Sequence, residues 1–321
     1  MTTVAGVDIG SNTLRLLIAR VEEGERLVPV EAARQMTRLG EGMGHGALLR
    51  PAAVDRSIGV LRDFSGRIAG RRPDLVTVVA TSAVREAANR AEFLQRVRAE
   101  AGLTVEVLSG REEARRTLLG AWWGLRHAGF DGASPCLLCD IGGGSTEYVL
   151  GRAGAVDGWA STPLGVVRLT ERFLHSDPPA AEEIDRLRAH VAAELEQTAF
   201  RIGPLPAGCR VAGTAGTVTT LGALLKQLNR YDPSVVNGVR LPAATVDEWA
   251  ARFIGMTAAE RRALPLMEGG RADLIVAGAI VLQSSLSRWR LDGLLVSDWG
   301  LKEGIILETV RRQRSSESLR P

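Results

Sequence analysis

The chain has 321 residues, 45% of them hydrophobic and 24% charged, the composition of a soluble globular protein long enough for two domains. Forty Lys and Arg against 37 Asp and Glu leave a net charge of +3, too mild to demand nucleic acid or an anionic membrane as a partner. The longest clean apolar run, Leu274–Leu282, is far short of a bilayer span, and the N-terminus enters a strand with no basic and then apolar leader, so a soluble cytoplasmic protein is expected.

Hydrophobic periodicity predicts strands at Thr3–Asp8, Leu14–Val21 and Leu27–Ala33, then a polar, Gly-rich loop over Leu39–Leu48. Pro51 suits the first turn of a helix running to about Ala69. A strand at Leu75–Ser82, a helix at Ala91–Ala101, a strand at Thr104–Leu108 and a helix at Arg111–Leu125 follow. Gly129–Pro135 reads as a linker, after which the pattern restarts with strands at Cys136–Asp140, Thr146–Leu150 and Ala155–Ser161. Helices lead to a strand at Cys209–Gly213, a helix at Gly216–Leu228, a strand at Gly293–Ser297 and a last helix from Leu301; only the tail after Gln313 looks disordered. Two α/β domains, 1–128 and 129–300, with helices covering a mixed sheet, are the economical reading.

Several residues read as structural. Cys136 and Cys139 have metal-ligand spacing but lie in one strand, on opposite faces. With Cys209 and four scattered His they make no zinc site, so reduced structural thiols are expected. His45, His127, His175 and His190 share no ligand spacing and read as surface residues. Trp122, Trp123, Trp159 and Trp289 read as core or interface rather than a base-stacking platform. The charged run Ala181–His190 reads as an amphipathic, salt-bridged helix.

Two stretches repeat one unusual plan. In "VDIGSNTLRLL" (Val7–Leu17) and "CDIGGGSTEYVL" (Cys139–Leu150) an apolar strand ends in Asp-Ile-Gly, passes a small polar tip and resumes as a strand. Such a tip presents consecutive backbone N–H groups to an anion: Gly10, Ser11 and Asn12 in the first, Gly142, Gly143, Gly144 and Ser145 in the second. Ser and Asn add side-chain donors. Asp8 and Asp140 then lie beside the anion, placed to orient water or a divalent cation. A third loop, "VAGTAGTVTTLG" (Val211–Gly222), runs from a strand into a helix, so the amides around Gly213, Thr214 and Gly216 also favour an anion. No Walker A lysine motif exists, and no dinucleotide fingerprint follows the first strand. A phosphate-bearing ligand gripped from two domains is the expectation.

With "ATSAVREAAN" (Ala80–Asn89), "VEVLSGREEAR" (Val105–Arg115) and "VSDWGLKEGI" (Val296–Ile305), these runs cover almost the whole chain. The chain resembles the exopolyphosphatase / guanosine pentaphosphate phosphohydrolase family of the actin–hexokinase superfold. The resemblance implies two ribonuclease H-like domains across a cleft, each a mixed five-stranded sheet flanked by helices, with the C-terminal helix 301–314 packed back on the first. It also implies a homodimer, and inorganic polyphosphate or guanosine pentaphosphate as substrate.

Residue roles follow. Ser109 before a helix with Glu112 three residues on is a capping box, which gives Glu112 a structural task. Glu113, rotated about 100° around the helix, is left to act elsewhere, and the resemblance makes it the general base. It further implies that Arg85 contacts the phosphate chain and that Asp140 and Glu147, assisted by Asp8, hold Mg²⁺ or Mn²⁺; a monovalent cation such as K⁺ is a further expectation. Arg38, Arg168 and Arg271 are weaker candidates for lining the channel. Trp299 and Gly300 depart from a family pattern of Gly and a small residue, so Trp299 is expected to reshape the far end of the site. The chain ends soon after the second domain, which suggests short polyphosphate or a triphosphate nucleotide. A non-hydrolytic nucleotide binder does not need Glu113, Asp140 and Glu147; a sugar kinase would need an aspartate base and a sugar pocket, and the sequence shows neither.

Overall fold

In the computed structural model the β-branched start of the chain forms β1 (Thr2–Ile9), which is followed by β2 (Thr13–Val21), β3 (Leu27–Met36) and α1 (Pro51–Arg71). Next come β4 (Leu75–Ala80), α2 (Ser82–Glu86), α3 (Arg90–Ala101), β5 (Val105–Val107) and α4 (Gly110–His127). The structure describes residues 1–43, 48–130, 134–152, 155–267 and 270–318; His45, the side chain of His127, and parts of the loop 39–48 and the linker 129–135 lie outside them.

Two compact units result, one of residues 1–120 with 300–321, the other of 121–299. In the first, the strand order is β3-β2-β1-β4-β5. β1 to β3 run antiparallel, while β4 and β5 lie parallel in the order. β1 is buried from Val4 to Ile9, as a strand covered on both faces must be. One face meets α1, whose Ile58, Leu61, Phe64 and Ile68 form a helical stripe, together with Phe93 and Val97 of α3. α1 starts on Pro51 and stops where Arg72 turns left-handed and its N–H bonds to Ile68 O. The other face takes α12 (Leu301–Ser318). A Cβ built on Gly6 would stand 3.1 Å from Ile306 Cγ1, so this glycine admits the helix. α12 continues past Gln313 as helix, where a disordered tail is expected from sequence.

The second unit repeats the plan with β6 (Cys136–Ile141), β7 (Thr146–Arg152), β8 (Ala155–Thr162), α5 (Val166–Phe173), α6 (Ala181–Ile202), β9 (Arg210–Thr214) and α7 (Ala215–Leu225). Then follow α8 (Pro233–Val236), β10 (Arg240–Pro242), α9 (Ala243–Gly255), α10 (Ala258–Ala263), α11 (Arg271–Arg288) and β11 (Gly293–Val296). Its sheet order is β10-β11-β9-β6-β7-β8. Read from β8 to β11 this is the order of the first unit, and the ribonuclease H-like, actin-like fold is present in both.

The expected five strands become six here, because β10 adds an antiparallel edge to β11. Three residues are too few to show an alternating pattern. The pairing depends on Gly293, at φ +153°, where a Cβ would meet Leu241 O at 2.4 Å. The apolar stretch Leu274–Leu282 is the buried heart of α11. No helix among the described residues is long and apolar enough to cross a membrane. Cys136 and Cys139 are buried free thiols; burial pushes the Cys136 thiol up to about 12, far from reactivity at neutral pH.

Candidate active site

The two hairpin tips share one geometry. Gly10 N donates to Thr13 O at 3.2 Å, and Gly142 N donates to Ser145 O at 3.0 Å. A Cβ on either glycine would stand 2.9 Å from the carbonyl it bonds. None of Ser11, Asn12, Gly143 and Gly144 takes the left-handed backbone, so these are not the primed turns of ordinary two-residue hairpins. The amides of Ser11, Asn12, Gly143 and Gly144 meet no backbone acceptor among the described residues, which suits them to an anion. The expectation that every residue of the tip donates is thereby corrected: Gly10 and Gly142 close the turns with their amides.

In the first unit, Ser11 is also occupied within the fold. Its Oγ lies 2.9 Å from Ser82 Oγ and accepts from Ala83 N at 3.2 Å, so the hydroxyl ties the tip to the start of α2. The carbonyls of Ser11 and Asn12 accept from Gly40, Thr37 and Arg38 amides, which places Arg38 beside the same tip. At the far end of α2, Arg85 Nη1 donates to Glu113 Oε2 at 2.7 Å and to Leu108 O at 2.9 Å. Glu113 is 6% exposed. Its neighbour Glu112 accepts from Ser109 N at 2.9 Å and Ser109 Oγ at 2.7 Å, and Glu112 N donates back to Ser109 Oγ. The capping box is therefore present, and these bonds hold the Glu112 carboxyl below the usual range. Asp8, at the end of β1, is 4% exposed, and its Oδ1 has no hydrogen-bond partner among the described residues. Burial raises its carboxyl pKa, opposed by Arg15, 3.7 Å away, and Lys302.

In the second unit, Asp140 on β6 stands directly opposite Glu147 on β7. Glu147 is 2% exposed and accepts from Ser161 Oγ at 2.8 Å. Gly142 O and Gly143 O accept from the amides of Val166 and Val167, so the first turn of α5, which carries Arg168, is built on the tip. Gly165 makes this approach workable: a Cβ there would lie 2.1 Å from Gly144 C.

The third loop works differently from expectation. Gly213 is a strand residue whose missing Cβ admits Val218 at 3.0 Å and Leu294 at 3.2 Å. The hydroxyl of Thr214 donates to Trp299 O at 3.1 Å. Ala215 carries the turn into α7 at φ +70°, a strained state for a residue with a side chain. Arg271 Nη2 stands 3.9 Å from a Cβ built on Gly216, and its Nη1 donates to Thr220 Oγ1 at 2.6 Å. The carbonyl of Trp299 is held by Thr214 and Ser297, so its backbone meets the loop, and its side chain stands against Gly124.

Sequence reasoning passed over Gly165, Ser82, Ala215, Thr220 and Gly40. For Gly165, a glycine just before an amphipathic helix was the available signal.

The model of the Ppx/GppA phosphatase family matches residues 17–313. The chain belongs to the Ppx/GppA phosphatase family. Exopolyphosphatase 2 of Mycobacterium tuberculosis is 39% identical over 319 residues, covering 96% of this chain and 98% of that protein. The crystal structure of the Aquifex aeolicus Ppx/GppA family member superposes with a TM-score of 0.81 at 34% identity, covering 97% of this chain and 98% of that one. An exopolyphosphatase-like protein of known structure gives a TM-score of 0.90 at 35% identity, over 98% and 99% of the two chains.

One observation tests whether a Ppx/GppA protein of this sequence fits a divalent cation. Like charges directly opposite on neighbouring strands repel, and Asp140 faces Glu147 in that way; Asp8, the expected third ligand, belongs to the first unit and is no part of this pair. Among the described residues no three His, Cys, Asp or Glu side chains converge on one metal position. Mg²⁺ does not require that, since it is commonly held by one or two carboxylates with water and substrate phosphates. The residues fit.

Proposed function

We propose that this protein is an exopolyphosphatase, releasing orthophosphate from the end of short inorganic polyphosphate chains. The observation that carries the reading is Glu113, a buried carboxylate held by Arg85 at the start of α4. The full-length likeness to Exopolyphosphatase 2 of Mycobacterium tuberculosis supports the substrate class.

The chemistry asks for little covalent assistance. Water attacks the terminal phosphorus in line, an O–P bond forms, the bridging P–O bond breaks, and the shortened chain leaves with the bridging oxygen. Glu113 takes the proton of the attacking water. Arg85 fixes the carboxylate through Nη1, and the rest of its guanidinium suits a phosphoryl oxygen. The amides of Ser11 and Asn12 in the first unit, and separately those of Gly143 and Gly144 in the second, are donors suited to phosphoryl oxygens. Asp140 and Glu147 would hold a divalent cation, which when bound neutralises phosphoryl charge.

The test is phosphate release with Mg²⁺ from short polyphosphate, long polyphosphate and guanosine pentaphosphate, with Glu113→Gln alongside. Release that is lost in Glu113→Gln supports the reading, and the order of the three substrates names the preferred one. No release from any of them, or a fully active Glu113→Gln, removes it.

A further inference from the structure

Arg261 is 4% exposed, on the short helix α10, in a sequence that gives it no motif. Burying a guanidinium is expensive, and an apolar residue of similar volume is often as stable. Its bonds show what it holds. Nη1 donates to Phe253 O at 2.9 Å and Met256 O at 2.5 Å, at the end of α9, and Nε donates to Ala272 O at 2.9 Å, in the first turn of α11. The nearest carboxylate is Asp177, half exposed, at 3.6 Å. Backbone carbonyls, not a counter-charge, therefore define the position of this side chain.

The first turn of α11 carries Arg271 immediately before Ala272. Arg271 Nη1 donates to Thr220 Oγ1, and Thr220 Oγ1 donates to Gly216 O, both at 2.6 Å, so the hydroxyl connects the arginine to the third loop. About two turns further on, a Cβ on Gly278 would meet Thr217 Oγ1 at 2.2 Å, so α11 lies directly on α7 there. The helix is thus fixed along its length by Gly278 and at its start by Arg261.

We propose that Arg261 is a positioning residue that acts through Arg271, locking the first turn of α11 so that the Arg271 guanidinium is aimed at the Gly213–Gly216 loop and binds phosphoryl oxygens. This rests on the reading of that loop as part of a polyphosphate site. Arg261 needs its planar fork, since a lysine keeps the charge but not the three carbonyl bonds in that geometry.

The experiment is calorimetric titration of tripolyphosphate with Mg²⁺ into wild type, Arg261→Lys, Arg261→Met, Arg271→Ala and the double variant Arg261→Met/Arg271→Ala, with thermal unfolding of each. Expected is about a tenfold weaker Kd for each Arg261 variant and for Arg271→Ala, with the double variant no weaker than Arg271→Ala alone. Should Arg261→Met not fold, Arg261→Lys and its combination with Arg271→Ala carry the same comparison. An unchanged Kd with only a lowered Tm, or losses that multiply in the double variant, would show that Arg261 is structural and overturn the proposal. So would unweakened binding by Arg271→Ala, or no binding by wild type. Every protein in the titration also carries Glu113→Gln, so that binding is read without turnover, and failure of the hydrolase reading is seen separately, in the phosphate release of wild type against Glu113→Gln.

Discussion

Arg85 Nη1 lies 2.7 Å from Glu113 Oε2 and 2.9 Å from Leu108 O, so one nitrogen joins the end of α2 to the carbonyl after β5 and to the carboxylate on α4. Glu113 is therefore a braced carboxylate rather than a swinging one. Its aim depends on where the short helix α2 sits. That position in turn depends on Ser11, whose hydroxyl accepts from Ala83 N. The tip of the first hairpin and the Glu113 carboxylate are thus joined through α2.

Removing either partner should have opposite consequences for stability and rate. Glu113→Gln keeps the shape and loses the proton acceptor, so kcat should fall about 10²–10⁴-fold, with Tm little changed. Arg85→Ala removes the guanidinium that the buried Glu113 accepts from and should cost about 1–3 kcal/mol, less than for a fully enclosed pair because Arg85 is 22% exposed. The double variant Arg85→Ala/Glu113→Gln should recover most of that stability. Urea unfolding and steady-state phosphate release check both halves, and a double variant as unstable as Arg85→Ala would refute the pairing argument.

Glu112 provides the control one residue away. Its carboxyl is held below the usual range by the Ser109 hydroxyl and amide, so the folded pKa lies under the unfolded value of about 4.3. A depressed carboxylate contributes stability that is present above the unfolded pKa and lost as pH falls through the folded one. Glu112→Gln should therefore cost about 1 kcal/mol at pH 7. The gap from wild type should narrow below a pH of about 4, and kcat should stay within about twofold. Paired unfolding curves at neutral and acid pH test this; a rate loss comparable to that of Glu113→Gln would reverse the two assignments.

Much of this was legible from the chain because the signals were local. The hairpins Val7–Leu17 and Cys139–Leu150 carry their own strands and tips, and Ser109 with Glu112 is a motif complete within four residues. The signals that were not legible depend on partners distant in sequence. Gly165 matters because Gly144 is beside it, Gly213 because Val218 and Leu294 fill the space of its Cβ, and Thr214 because its hydroxyl reaches Trp299 O. β10 escaped notice because three residues show no period, and the tail after Gln313 because a polar segment on the end of a helix resembles a disordered one. The sequence leads one to expect an anion at these loops, but which of their groups remain available depends on contacts it does not display.

Gly165→Ala should be among the most damaging single-methyl changes. The added carbon would lie 2.1 Å from Gly144 C and 2.5 Å from Gly143 O, both backbone, so the tip or α5 must move. Stability should drop by about 1–3 kcal/mol, with kcat reduced at least tenfold as the amides of Gly143 and Gly144 lose their aim. Gly66→Ala is the contrast: exposed in the middle of α1, with nothing within 4 Å of its Cβ, it should stabilise by about 0.5–1 kcal/mol at unchanged rate. Thermal melts of the two variants should move in opposite directions.

The facing acids of the second unit predict how the protein responds to loss of metal. Asp140 and Glu147 are directly opposed across β6 and β7, and Glu147 is almost fully buried. Without a cation their repulsion is a standing cost of about 0.2–1 kcal/mol, and a cation that binds the folded state adds stability in proportion to its concentration over Kd. Chelation of divalent ions should therefore lower the Tm of wild type and abolish phosphate release, both restored by Mg²⁺. In metal-free buffer Asp140→Asn should melt higher than wild type, because the repulsion is gone, yet gain nothing from added Mg²⁺ and release no phosphate. A variant that still gains stability from Mg²⁺ to the wild-type extent would show that these two carboxylates do not hold the ion.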